Sequence, residues 1–168
     1  AVRGGFGFVI DMPNNPGAPT ISIERLEEKI RLADAKAHCG VGFHYGTNGN
    51  NLDTFAKAAA NPRVYGLKIY CNHTTGELLM SNDELLINVF NAWESPKPIL
   101  VHAEGAMLER CLELAQKYGH RLHHCHTSLA SEVELISQAK QSFMKVSAGV
   151  TPHHLFLNNS NSATMKPP

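Results

Sequence analysis

Lys68 lies in the string Gly66-Leu67-Lys68-Ile69-Tyr70, a lysine inside a run that otherwise reads as a buried strand. Desolvation penalises a charged amine, so an ammonium placed there must be paired, reach water or give up its proton. A neutral lysine can take up carbon dioxide, and the carbamate offers two oxygens able to bridge a pair of metal ions. The competing reading is a lysine whose stem packs inside while its head reaches water at the strand end. His102, in Ile99-Leu-Val-His-Ala-Glu104, and His126, in Leu122-His-His-Cys-His-Thr-Ser128, each close an apolar run. Imidazole nitrogen suits zinc, and carboxylate-type oxygens complete such a site. Taken singly, either histidine also fits a hydrogen-bonded core residue. Two of them on successive strands after a buried lysine point to a metal. Strand alternation allows at most His124 to share the side of His126, so His123 and His124 read as supporting or structural residues.

Short apolar runs alternate with longer amphipathic stretches, the pattern of repeated βα units around a parallel sheet. The predicted strands are Gly5 to Met12, Gly40 to Tyr45, Tyr65 to Tyr70, Pro98 to His102, Arg121 to His126 and Lys145 to Val150. Helical spacing runs through Ser22 to Lys36, Leu52 to Ala60, Asp83 to Trp93, Ala106 to Tyr118 and Ser131 to Gln141. Asn82 or Ser81 and Ser131 supply N-caps, Gly119 a left-handed stop, and Asn61-Pro62 ends a helix. The residues 158 to 168 are polar and read as a loop. Such a chain folds either as a doubly wound open sheet or as an arc of a (β/α)8 barrel. No GxGxxG string follows the first strand, and Asn14, Lys68, His102 and His126 all fall at or near carboxyl ends of strands, where barrels place function. The barrel arc is therefore preferred.

A length of 168 residues with 43% hydrophobic and 18% charged content supports one soluble core, taken as a single domain over 1–168. Lys+Arg and Asp+Glu are both 15, so no overall field favours nucleic acid or an anionic membrane, and a small molecule is the expected partner. No apolar run is long enough to span a bilayer, and the first residues show no leader pattern. Cys39, Cys71, Cys111 and Cys125 form no CxxC pair, which argues for reduced thiols in the cytoplasm rather than disulfides.

Five strings carry a resemblance: DMPNNP from Asp11, GLKIY from Gly66, VHAE from Val101, CHTSLASEVELISQAK from Cys125 and VSAGVTPHHLFL from Val146. In order and spacing they resemble dihydroorotases of the long-chain type, which also occur within multifunctional pyrimidine-synthesis proteins. The resemblance implies a metal-dependent amidohydrolase (β/α)8 barrel and reversible closure of carbamoyl-aspartate to dihydroorotate. It implies two zinc ions bridged by carboxylated Lys68, with His102 and His126 as ligands of the second zinc. Asn14 becomes a substrate contact, and Thr74 falls in the segment expected to lie over the substrate. Allantoinase and dihydropyrimidinase share the chemistry and remain alternatives. So does a non-catalytic scaffold partner of aspartate transcarbamoylase; a homodimer is a further expected association.

The chain also departs from the pattern. The HxH pair of the first barrel strand is expected before Ala1, and the general acid–base aspartate of the last strand beyond Pro168. The chain therefore reads as an internal piece, roughly strands 2 to 7, lacking the first and last barrel strands. It is expected to be poorly stable in isolation and without turnover of its own. Gly149 stands where many relatives carry glutamate.

Overall fold

The computed structural model describes residues 1–73, 78–157 and 160. Six parallel strands pair strictly in chain order: β1 (Phe8–Asp11), β2 (Gly40–Gly46), β3 (Val64–Tyr70), β4 (Ile99–His102), β5 (Leu122–His124) and β6 (Val146–Ala148). Helices α1 (Ile23–Lys36), α2 (Phe55–Ala60), α3 (Asp83–Ala92), α4 (Ala106–Tyr118) and α5 (Ala130–Gln141) form the successive crossovers, and α6 (Pro152–Phe156) follows β6. Parallel neighbours need such crossovers. The outcome is a curled partial (β/α)8 barrel, as the alternation of runs predicts.

One face of the sheet packs on the helices. Leu67 and Ile69 of β3, Ile99 and Val101 of β4 and Leu122 of β5 join Leu26, Leu86, Val89, Phe90, Leu108 and Leu114 from the helices in one buried core. Phe55 links Tyr45 on β2 and Trp93 after α3 by edge-to-face contacts of 6.5 and 5.4 Å between ring centres. The opposite, inner face carries the residues of other parity: Gly66, Lys68 and Tyr70 on β3, Leu100 and His102 on β4. A side chain at Gly66 would bring its Cβ to 2.4 Å from Leu100 Cδ1 and 2.6 Å from the Pro98 carbonyl oxygen. Gly66→Ala is therefore expected to cost about 1–3 kcal/mol by overpacking, read as a lowered midpoint in urea.

Caps follow the sequence signals in part. Ser22 Oγ accepts the Arg25 N–H at 3.2 Å, Asn82 Oδ1 accepts the Leu85 N–H at 3.1 Å, and Gly119 ends α4 at φ 75°. α5 differs: it begins at Ala130, with Leu129 rather than Ser131 at the N-cap. The Glu132 side chain reaches back to the Leu129 N–H, so a carboxylate from the first turn satisfies donors that a polar cap would have taken. β1, β4, β5 and β6 are shorter than predicted, whereas β2 and β3 each run one residue longer. β1 begins at Phe8 rather than Gly5, after a 3-10 turn over Val2–Gly4, and β5 stops at His124. His126 is thus not the last residue of a strand, a correction that matters for the site. Among the described residues no helix is long and apolar enough to cross a membrane.

Candidate functional site

Register brings β3 and β4 ends together: Tyr70 lies opposite His102, and Lys68 opposite Leu100 on one side and Gly46 on the other. Lys68 is only 2% exposed. Its Nζ sits 4.4 Å from the centre of the Tyr70 ring and 3.5 Å from the Ile69 carbonyl oxygen. Burial pushes the amine below the ordinary lysine range, and the thiols of Cys125, Cys71 and Cys111 offset this only in part. The groups that favour its charge are thiols, not carboxylates. The buried amine is therefore drawn toward its neutral, nucleophilic form.

His126 reaches the same place by another route. The Cys125 N–H still follows the ladder, donating to the Val101 carbonyl at 3.0 Å, and then His126 turns to φ 42°. The left-handed region costs a side chain on the order of 1 kcal/mol, and histidine is among the few non-glycine residues that visit it. The turn swings the ring over β4. His126 Nε2 and His102 Nδ1 stand 2.9 Å apart, with ring centres at 4.7 Å. One of these two nitrogens must carry the shared proton. Burial lowers the pKa of His126 to about 4, with His102 and then Lys68 contributing. Burial and then Lys68 also lower His102, against a smaller raising effect of the His73 backbone. Both imidazoles are consequently neutral at pH 7, with lone pairs available.

Two nitrogens bound tetrahedrally to one zinc at about 2.0–2.1 Å stand about 3.3 Å apart. The pair here needs to open by only a few tenths of an ångström to share an ion. His102 Nε2 is buried without a hydrogen-bond partner. Among the described residues no three His, Cys, Asp or Glu side chains converge as a cation cluster. The donor set consequently fits half of a zinc site: two neutral imidazoles beside a buried lysine amine.

Of the other predicted site residues, Asn14 lies in the loop after β1, its backbone against the Tyr70 hydroxyl, which places the loop at the rim of the Lys68 environment. Thr74 lies outside the described residues. His123 and His124 face opposite ways, but in the sense opposite to that expected. His123 pairs with Leu100 and turns inward, bonded to Ser147 Oγ at 2.9 Å, whereas His124 pairs with Val101 and turns toward the helices. His124 Nε2 meets the Ala103 carbonyl at 2.8 Å, so it carries the proton, and Nδ1 accepts from the Thr127 hydroxyl at 2.8 Å. Strand parity does not extend to His126, which lies beyond the end of β5.

The sequence reading also missed His44. It is 6% exposed on the inner face of β2, with Nδ1 unpartnered and its pKa lowered to about 4, by burial first and by Lys68 and His123 next. The alternation Gly42, His44, Gly46 against Val41, Phe43, Tyr45 was the signal that could have found it. A side chain at Gly149 would approach His123 Nε2 at 3.3 Å.

No protein-family model matches the chain. It is 36% identical to the multifunctional protein CAD of Squalus acanthias over 162 residues, which is 96% of this chain and 7% of that protein. To the dihydroorotase of Methanosphaera stadtmanae it is 30% identical over 186 residues, covering 95% of this chain and 43% of the relative. The chain thus spans less than half the length of the single dihydroorotases it matches. In backbone it superposes on the L-hydantoinase of Arthrobacter aurescens with a TM-score of 0.83 at 22% identity, covering 98% of this chain and 44% of that one. The inactive dihydroorotase-like domain of a CAD-like multifunctional protein from Chaetomium thermophilum gives 0.81 at 22%, covering 95% and 46%.

Proposed function

From a chain that is dihydroorotase-like in sequence and carries the amidohydrolase fold, we propose that Lys68, His102 and His126 form part of a zinc centre for opening and closing a dihydroorotate-type cyclic amide. The observation that carries this reading is the contact of the two neutral imidazoles beside a buried lysine amine. His102 and His126 would hold one ion through Nδ1 and Nε2. Lys68, as a carbamate formed from the neutral amine and carbon dioxide with loss of a proton, would hold two. A bound zinc pair supplies a water of near-neutral pKa and polarises the amide carbonyl. Asn14 orients the ring at the rim, and the apolar walls around Lys68 keep bulk water from the amine. Identity of 36% with the CAD of Squalus acanthias and 30% with the dihydroorotase of Methanosphaera stadtmanae favours dihydroorotate over the hydantoins, since the hydantoinases share the fold at 12–22% identity. Likeness to CAD and to the multifunctional protein pyr1-3 of Dictyostelium discoideum supports a parent protein in which the site works beside other enzyme domains.

Equilibrium dialysis of the purified chain against zinc or cobalt(II) tests the centre. Binding is expected, and His126→Ala or His102→Ala should weaken it on the order of 100-fold, about 2.7 kcal/mol. Binding that both substitutions leave unchanged would remove the assignment. The inactive neighbour from Chaetomium thermophilum supports a second reading, a dihydroorotase-like scaffold. That reading expects no specific metal uptake.

A further inference from the structure

The short segment between β5 and α5 delivers His126 in a conformation its own residues do not favour. Its supports are all on the inside of the loop. The Thr127 N–H donates to the Gly149 carbonyl at 2.8 Å, and the Thr127 hydroxyl donates to His124 Nδ1 at 2.8 Å. His124 is fixed in turn on the Ala103 carbonyl. Immediately beyond, Glu132 is 1% exposed, and one of its carboxylate oxygens accepts the N–H groups of Ser128 and Leu129 at 3.0 and 3.1 Å. Its other oxygen is buried without a partner. A carboxylate buried on these terms is costly as a mere helix cap, because an exposed serine or aspartate would cap α5 without desolvation. What Glu132 adds is a tether on Ser128 and Leu129, the second and third residues after the left-handed His126. Together the Glu132 and Thr127 contacts fix the three residues that follow His126, from which its ring points back over β4.

We propose that Glu132 and Thr127 are positioning residues that hold His126 in its left-handed turn, so that its Nε2 meets His102 Nδ1. The metal part of this inference rests on the zinc-centre reading above; the conformational part does not. The imidazole ¹⁵N and proton resonances of the full chain report the shared His102–His126 proton without any metal. Cobalt(II) affinity reports the same geometry with one. In Glu132→Ala the shared-proton signature is expected to disappear and cobalt(II) affinity to fall 10- to 100-fold. Glu132→Gln should restore both, since its amide oxygen can still accept the two N–H groups. Thr127→Val, isosteric and without a new buried charge, keeps the test open if Glu132→Ala does not fold, and is expected to shift both readouts in the same direction. Retention of the signature and of affinity in folded Glu132→Ala, or in Thr127→Val, would overturn the proposal. A wild-type chain that ignores cobalt(II) but loses its histidine signature in these variants would leave the clamp standing and sink the zinc-centre reading instead.

Discussion

Lys68→Met should yield a chain that is more stable than the parent and, on the proposed zinc centre, takes up less metal. The methionine fills the same slot without a desolvated amine, and exchanging buried charge for apolar volume typically stabilises by about 1–3 kcal/mol. The gain depends on pH in a definite sense. Burial lowers the folded pKa of Lys68 while the unfolded lysine stays near its ordinary value, so between the two the unfolded chain binds more protons. Wild-type stability therefore rises with pH through that window, and the penalty is fully present only below the lowered pKa. The difference between Lys68→Met and wild type should shrink as pH approaches about 10, the ordinary lysine value. Urea midpoints at neutral pH and near pH 10 measure it. Dialysis against zinc should show uptake reduced on the order of 100-fold or more, because neither amine nor carbamate remains. A variant that binds zinc like wild type would exclude Lys68 as a ligand.

Trp93→Ala should be the most damaging single substitution in the helix-side core, costing about 3–5 kcal/mol. The ring is fully buried, packs edge-on against Phe55, and donates its indole N–H to the Lys97 carbonyl at 3.0 Å. Removing it leaves a cavity between α2 and α3 and an unpaired carbonyl. Thermal unfolding followed by circular dichroism would register the loss; Trp93→Phe, which keeps most of the volume, should recover more than half of it. A shift of under about 1 kcal/mol for the alanine variant would mean that this part of the core can collapse onto the space.

Much of this arrangement was legible from the residues. Each strand is an apolar run bounded by turn formers, and Lys68 and His102 stand out because they interrupt such runs at positions where side chains face away from the helices. His126 was found by type but assigned to the wrong backbone, since the run Leu122 to His126 gives no sign that a left-handed turn begins after Cys125. His44 was hidden between Phe43 and Tyr45, whose bulk masks the glycines that mark its face. The N-cap of α5 was misplaced because Leu129 cannot cap, and the acceptor comes from Glu132 one turn later. For His126 the deciding contacts are made with residues that local pattern does not reach, the Val101 and Gly149 carbonyls that anchor its loop.

The uninterrupted strand order has a kinetic corollary. Each strand needs only its immediate predecessor as a template, so every new pairing closes a single helical crossover rather than a span of several units. Parallel sheets usually fold slowly because their partners are far apart along the chain. Here assembly can proceed by accretion, unit upon unit, with the strand carrying Lys68 docked before the loop that delivers His126 has to find it.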